Sequence, residues 1–235
     1  MTATGSTMNN QEQNSRLLRE GGQAFFGAVT ASLSHEINNV MAIIGELSGL
    51  LGDLTAGAAP DRPLKPERIT SIAGRVTDQV TRGKRLVKRL NRFAHTVDHP
   101  VASLKLGETM ELITTICRRF ADLVKAELQA DFPDGELVIE NSAFGLMQAV
   151  HLCIERSLAA APDGGNRVTA SFAATDDGCR ITVTSELPPP EDERTTERLA
   201  YLDLLMAELG GRADVTPQRF TLFLPRARAD RQAIV

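Results

Sequence analysis

Ser34-His35-Glu36-Ile37-Asn38-Asn39 lies within a run of apolar residues, Phe26, Leu33, Ile37, Val40, Ile44, Leu47, Leu51 and Leu54, spaced alternately by threes and fours. That rhythm belongs to the seam of a helical bundle, not to a strand. With these residues at heptad positions a and d, and Thr30 in the one polar slot, His35 falls at f, the most exposed position. Glu36 then sits at the seam's edge, and Asn39 lies one turn beyond His35 on the same face. A histidine at f fills no core. It is placed to meet a group arriving from outside.

The same reasoning extends outward from this segment. The helix is expected from about Gly22 to Leu54, because Gly57, Pro60 and Pro63 cannot continue it. A second helix should start at Pro66, a suitable first-turn proline, and reach about Val97. Its seam reads Ile69, Ile72, Val76, Gln79, Gly83, Leu86, Leu90, Phe93, Val97. Two long helices with a short connection make an antiparallel helical hairpin. One hairpin leaves an apolar stripe uncovered, so two copies are expected to form a dimeric four-helix bundle. The hairpin domain is assigned to residues 19–98, and the polar, aperiodic residues 1–18 are expected to be a disordered tail.

Past Asp98-His99-Pro100 the pattern changes. Short strands are expected at Ser103–Leu106, Glu127–Phe132, Arg167–Ala174, Arg180–Ser185, Arg212–Thr216 and Arg219–Leu224. Helices are expected at Glu108–Leu123, Ser142–Ala161 and Glu197–Leu209. Asp176-Asp177-Gly178 marks a hairpin turn. The fold class is therefore α+β, with a second domain over residues 99–225 built as an α/β sandwich with helices on one face. Residues 226–235 read as a tail.

Composition removes several functions. A net charge of −4, no Trp and one Tyr leave neither the basic field nor the stacking surface of a nucleic-acid binder. Cys117, Cys153 and Cys179 are far apart and in no ligand spacing. They are expected to be reduced, partly buried thiols in a cytoplasmic protein, with no metal or disulfide role. No apolar run is long enough to span a bilayer. Ala24–Leu33 follows Glu20, lacks a basic flank and runs into the amphipathic helix, so it is not read as a signal peptide. The expectation is a protein with no membrane anchor or sensor of its own.

Ser34-His35-Glu36-Ile37-Asn38-Asn39 resembles the H box of two-component sensor histidine kinases. The order of elements over roughly residues 20–225 is also similar to that family: a helical hairpin, then a Bergerat-type ATP-binding domain. The resemblance implies that His35 is phosphorylated, that Glu36 assists phosphoryl transfer and that Asn39 positions a hydrolytic water. Val40 stands where the family usually has a kinking proline, so a straighter helix is expected. The nucleotide motifs depart further. Arg156 stands where the family's Mg-nucleotide Asn is expected. Ser185-Glu186-Leu187-Pro188-Pro189-Pro190 replaces an Asp-x-Gly-x-Gly motif, and Glu191–Thr196 runs directly into a helix where a Gly-rich lid belongs. Phosphate cradles need glycine so that backbone N–H groups can approach, and prolines with acidic residues obstruct and repel a triphosphate. The second domain therefore reads as a degenerate ATPase-like scaffold that binds no cofactor.

A phosphorylatable hairpin on a dead nucleotide domain is similar to the dimeric histidine phosphotransferases of phosphorelays. These pass phosphoryl groups between response-regulator receiver domains, the receiver supplying the aspartate and the Mg²⁺. Neutral imidazole can attack phosphorus in line, and a neighbouring carboxylate such as Glu36 can hold the other ring N–H. Asn38 lies beside this face. Arg82, Lys84, Arg85, Lys88 and Arg89 form a basic face on the second helix that suits an acidic receiver, with Lys84 and Arg85 level with His35. His95 and His99 are assigned no role, and His151, in an apolar helix, is expected to be a core residue. Two alternatives stay open from sequence: a non-catalytic adaptor that binds and represses a response regulator or kinase, and an active kinase with a divergent nucleotide site.

Overall fold

The computed structural model describes residues 3–60, 63–160 and 165–227, with side chains from residue 10 onward apart from Glu193. The chain divides into two compact units, Gly27–Ala94 and a second that joins Met1–Phe26 to His95–Val235.

The first unit is the hairpin. Helix α1 (Ala3–Ala56) passes through it without interruption, and α2 (Pro66–Ala94) returns antiparallel to it. Leu33, Val40, Leu47, Ile72, Leu86 and Phe93 are buried, as the heptad register requires, and Val29 is buried in place of the expected Thr30, which is half-buried. Val40 lies opposite Gly83, where a Cβ would stand 3.3 Å from Val40 Cγ1, so the glycine lets the helices close at this level. Other seam residues, Ile37, Ile44, Leu51, Ile69, Val76 and Leu90, are only half-buried, and Met41, Val80 and Val87 are exposed. With valine in place of the proline, α1 continues unbroken through residue 40, as expected.

The expected tail over residues 1–18 differs: α1 is helical from Ala3. Residues 10–20 contain no Gly or Pro and are rich in Gln, Glu, Arg and Leu, good helix formers even where nothing buries them. Arg16 and Glu20 add an i,i+4 ion pair at 2.7 Å. Residues 21–26 then dock within the second unit. A Cβ at Gly21 would overlap the tip of the Tyr201 ring, so the glycine leaves room for that side chain. Buried Phe25 packs on Phe144 (centroids 5.3 Å) and His151 (5.0 Å). This docked turn belongs with the sandwich rather than with the hairpin over 19–98.

The rest of the second unit is the sandwich. After a 3-10 turn (His95–Val97) come β1 (Ala102–Lys105), α3 (Leu106–Leu123), β2 (Glu127–Asp131), β3 (Val138–Asn141), α4 (Ala143–Leu158), β4 (Arg167–Thr175), β5 (Gly178–Ser185), α5 (Glu193–Glu208), β6 (Arg212–Thr216) and β7 (Arg219–Pro225). The main sheet runs β2-β4-β5-β7-β6, with β2–β4 parallel and the other pairs antiparallel. β1 and β3 form a separate antiparallel pair. Val168, Ala170 and Phe172 on β4, Ile181 and Val183 on β5, and Phe220, Leu222 and Leu224 on β7 alternate into the core. Met110, Ile113, Leu146, Met147, Ile154, Leu202 and Met206 of the helices are buried too. Of the expected tail, Arg226 is held, accepting from Glu140 N at 2.8 Å and donating to Asp177 O at 2.9 Å; residues 228–235 lie outside the described residues.

All three cysteines are fully buried rather than partly. Burial pushes the thiols of Cys117 and Cys153 up, and that of Cys179 to about 11, so they stay protonated near neutral pH.

His151 sits between Phe25 and the edge-on ring of Phe120 (5.4 Å), confirming a core role. Burial lowers its pKa, against a weaker upward pull from Glu155 one turn along α4. The folded protein therefore binds fewer protons than the unfolded chain below the ordinary histidine value of about 6.5. Stability from this group is complete above that pH and falls as pH drops through it, by at most about 1.4 kcal/mol per pH unit. Urea unfolding at pH 7.5 and 5.5 measures the loss, which His151→Phe is expected to reduce.

Candidate active site

His35 is exposed on α1, as the heptad position predicts, with Asn38 and Asn39 exposed beside it. The Asn39 side-chain amide lies 3.3 Å from His35 Nδ1, an i,i+4 contact that the helix itself creates. Glu36 goes elsewhere. It was expected to hold the imidazole, but its half-buried carboxylate pairs with Arg82 of α2, Oε2 to Nη2 at 3.7 Å. Sequence reasoning put Arg82 on the basic face and did not foresee this pairing, since nothing local reports which of several arginines reaches across a hairpin.

Glu36–Arg82 and Val40–Gly83 fix the register of the two helices. That register puts Lys84 and Arg85 at about the level of His35. Lys84, Arg85 and Lys88 are exposed and Arg89 is half-buried. The result is an accessible imidazole with a basic helix alongside. His95 is engaged with Asp98 (Nδ1 to Oδ2, 2.7 Å) on the short turn after α2.

Arg156, which the resemblance aligns with the family's Mg-nucleotide Asn, is engaged by the protein's own groups. Arg156, 5% exposed on α4, donates through Nη2 to Pro190 O and to Thr195 Oγ1, the latter at 2.8 Å. Thr195 Oγ1 donates to Asp192 Oδ1 (2.8 Å) and accepts from Asp192 N (3.0 Å), closing a capping box at the start of α5. The Thr195 hydroxyl holds the Asp192 carboxyl below its ordinary range, with Arg156 and Arg198 adding to the effect. Beside Arg156, the cavity lined by Leu152, Leu199, Leu202 and Phe220 measures only about 10 Å³, barely room for one water. Ser185, first residue of the proline-rich segment, is buried. It is hydrogen-bonded to Asn166 (3.0 Å) and donates to Leu187 O (2.6 Å). Asn166 also donates to Ser157 O at 2.9 Å. Asn166 was missed in the sequence because it lies in a turn with no motif around it.

Among the described residues, no group of three or more His, Cys, Asp or Glu could hold a metal ion, and no helix is long and apolar enough to cross a membrane.

No family model matches the chain, and neither does any curated protein. Solved structures do. The histidine kinase AdeS of Acinetobacter baumannii aligns with TM-score 0.46 and 14% identity over 82% of this chain and 98% of that one. The ATP-binding domain of PrrB from Mycobacterium tuberculosis aligns with TM-score 0.45 and 16% identity, over 55% and 98%. The cytoplasmic segment of the histidine kinase QseC gives TM-score 0.45 and 13% identity, over 63% and 95%.

Proposed function

We propose that this protein is a phosphorelay histidine phosphotransferase. It accepts a phosphoryl group on His35 from the aspartyl phosphate of one response-regulator receiver domain and passes it to another, without ATP. The observation that carries the reading is the exposed His35 ring, hydrogen-bonded to Asn39 on an unbroken helix beside a basic face. The phosphoryl bond is already activated in the donor, so transfer needs positioning and charge neutralisation more than further chemistry. Arg82, Lys84, Arg85, Lys88 and Arg89 supply positive charge for an acidic receiver, and Asn38 borders the same surface. The receiver brings the Mg²⁺. Arg156 weighs against a kinase, because a nucleotide placed where the resemblance puts it would have to displace a buried, hydrogen-bonded cation.

The reading includes a homodimer and a cytoplasmic location. Ile37, Ile44, Leu51, Ile69, Val76 and Leu90 are seam residues left half-covered by one hairpin, as expected of faces that a second copy completes in a four-helix bundle.

The test incubates the purified protein with a panel of receiver domains carrying radiolabelled aspartyl phosphate. Acid-labile label appearing on the protein, and then moving to a second receiver, is the expected outcome. Stable complexes without label would replace this reading with the adaptor. Label acquired from ATP alone would replace it with the kinase.

A further inference from the structure

We infer that Asn39 is the residue that orients the His35 ring for phosphoryl transfer, its amide serving either ring tautomer, while Glu36 is committed to Arg82. The inference rests on the phosphoryl-carrier reading above. A carboxylate beside an imidazole can only accept, so it fixes one tautomer. A side-chain amide carries a donor and an acceptor. With its N–H₂ group on Nδ1, at the observed 3.3 Å, Asn39 stabilises the ring whose proton is on Nε2. That ring cannot attack through Nε2. Half a turn about the last side-chain torsion, which is broad and roughly two-fold, presents the amide oxygen instead. The oxygen accepts from Nδ1–H, and Nε2 keeps its lone pair.

In the second arrangement the transfer balances without a base or water. The Nε2 lone pair attacks phosphorus as the bond from phosphorus to the aspartate oxygen breaks, and that electron pair leaves with the carboxylate. Nδ1 retains its proton against Asn39 Oδ1. In the onward step the second receiver's carboxylate attacks phosphorus, and the N–P pair returns to Nε2. Glu36 is poorly placed to share this role. Its side chain is 18% exposed and directed to α2, where it meets Arg82.

The experiment records ring ¹⁵N resonances of the full-length, histidine-labelled protein, together with label uptake from a phospho-receiver as a function of pH. Asn39→Ala is expected to change the His35 tautomer ratio and to slow uptake by about tenfold to a hundredfold, with unaltered circular dichroism. Asn39→Asp, which can only accept, is expected to enrich the Nδ1–H tautomer and to move the uptake profile to higher pH by favouring the protonated ring. Glu36→Gln is expected to leave the tautomer ratio where it is. An unchanged ratio in Asn39→Ala, or a ratio that moves in Glu36→Gln instead, would overturn the assignment. The ring spectra need no receiver. If the wild type takes no label, the carrier reading fails separately and the spectra still decide the Asn39 contact.

Discussion

His35→Ala is expected to abolish transfer of label from every phospho-receiver that labels the wild type, a loss of at least about a thousandfold, because no nucleophile replaces the imidazole. Stability should change by less than about 0.5 kcal/mol, since the side chain is exposed and Ala is the better helix former. The two readouts together matter: label is lost while the urea midpoint and the affinity for the receiver stay near wild type. The other histidines make the result specific. His151 is half-buried between aromatic rings on α4 and His95 is paired with Asp98, and neither lies on α1. Wild-type label on His35→Ala would move the acceptor to another residue and remove the basis for the carrier function. Among the basic residues, single exposed changes such as Lys88→Ala should shift receiver association and its salt dependence only modestly, because rim charges act mainly on the on-rate.

Most of the fold was legible because its periods are long and uninterrupted. Some thirty residues of three-four spacing locate each hairpin helix, and alternating apolar residues locate β4, β5 and β7. β3 (Val138–Asn141) escaped notice because only Val138 and Ile139, adjacent and not alternating, are apolar in its four residues. The helical start of α1 escaped for a different reason. Residues 10–20 bury almost nothing, so the polar composition that reads as disorder serves an exposed helix equally well. At the candidate site, sequence placed His35, Asn38 and Asn39 on an exposed face, since heptad position alone decides it. It could not assign partners. Whether the ring meets position 36 or 39 depends on which way a half-buried carboxylate turns, and Arg82 on the other helix decides that. The departures at Arg156 and Ser185–Pro190 were visible as missing motifs. Their positive role was not, because the hydrogen bonds join residues 34 and 39 positions apart.

Arg156→Ala is expected to destabilise the second unit by about 2–4 kcal/mol, and to do so without creating a nucleotide site. Arg156 ties α4 to the first turn of α5 and to the segment before it through two charge-assisted hydrogen bonds, each worth roughly 1.5–3 kcal/mol. The lower part of the range follows from what is left behind. Pro190 is exposed, so its carbonyl regains water, and Thr195 keeps its bonds to Asp192. Burial works in the opposite direction, because Nη1 is buried without a hydrogen bond and stands 4.0 Å from Asp192 Oδ2. Removing that charge recovers desolvation energy, so Arg156→Met, which keeps the volume and drops the charge, should be less harmful than Ala. Urea denaturation of the two variants measures the difference. The decisive variant is Arg156→Asn, which restores the residue type a Mg-nucleotide would require. Fluorescent ATP-analogue binding should still be absent, because Ser185 remains locked to Asn166 and Pro188, Pro189 and Pro190 remain where the resemblance implies a glycine-bearing motif. Micromolar binding by Arg156→Asn would show that one side chain had been holding a latent kinase shut. Continued absence, with His35 still labelled from receivers, fits a domain whose nucleotide site has been rebuilt as core.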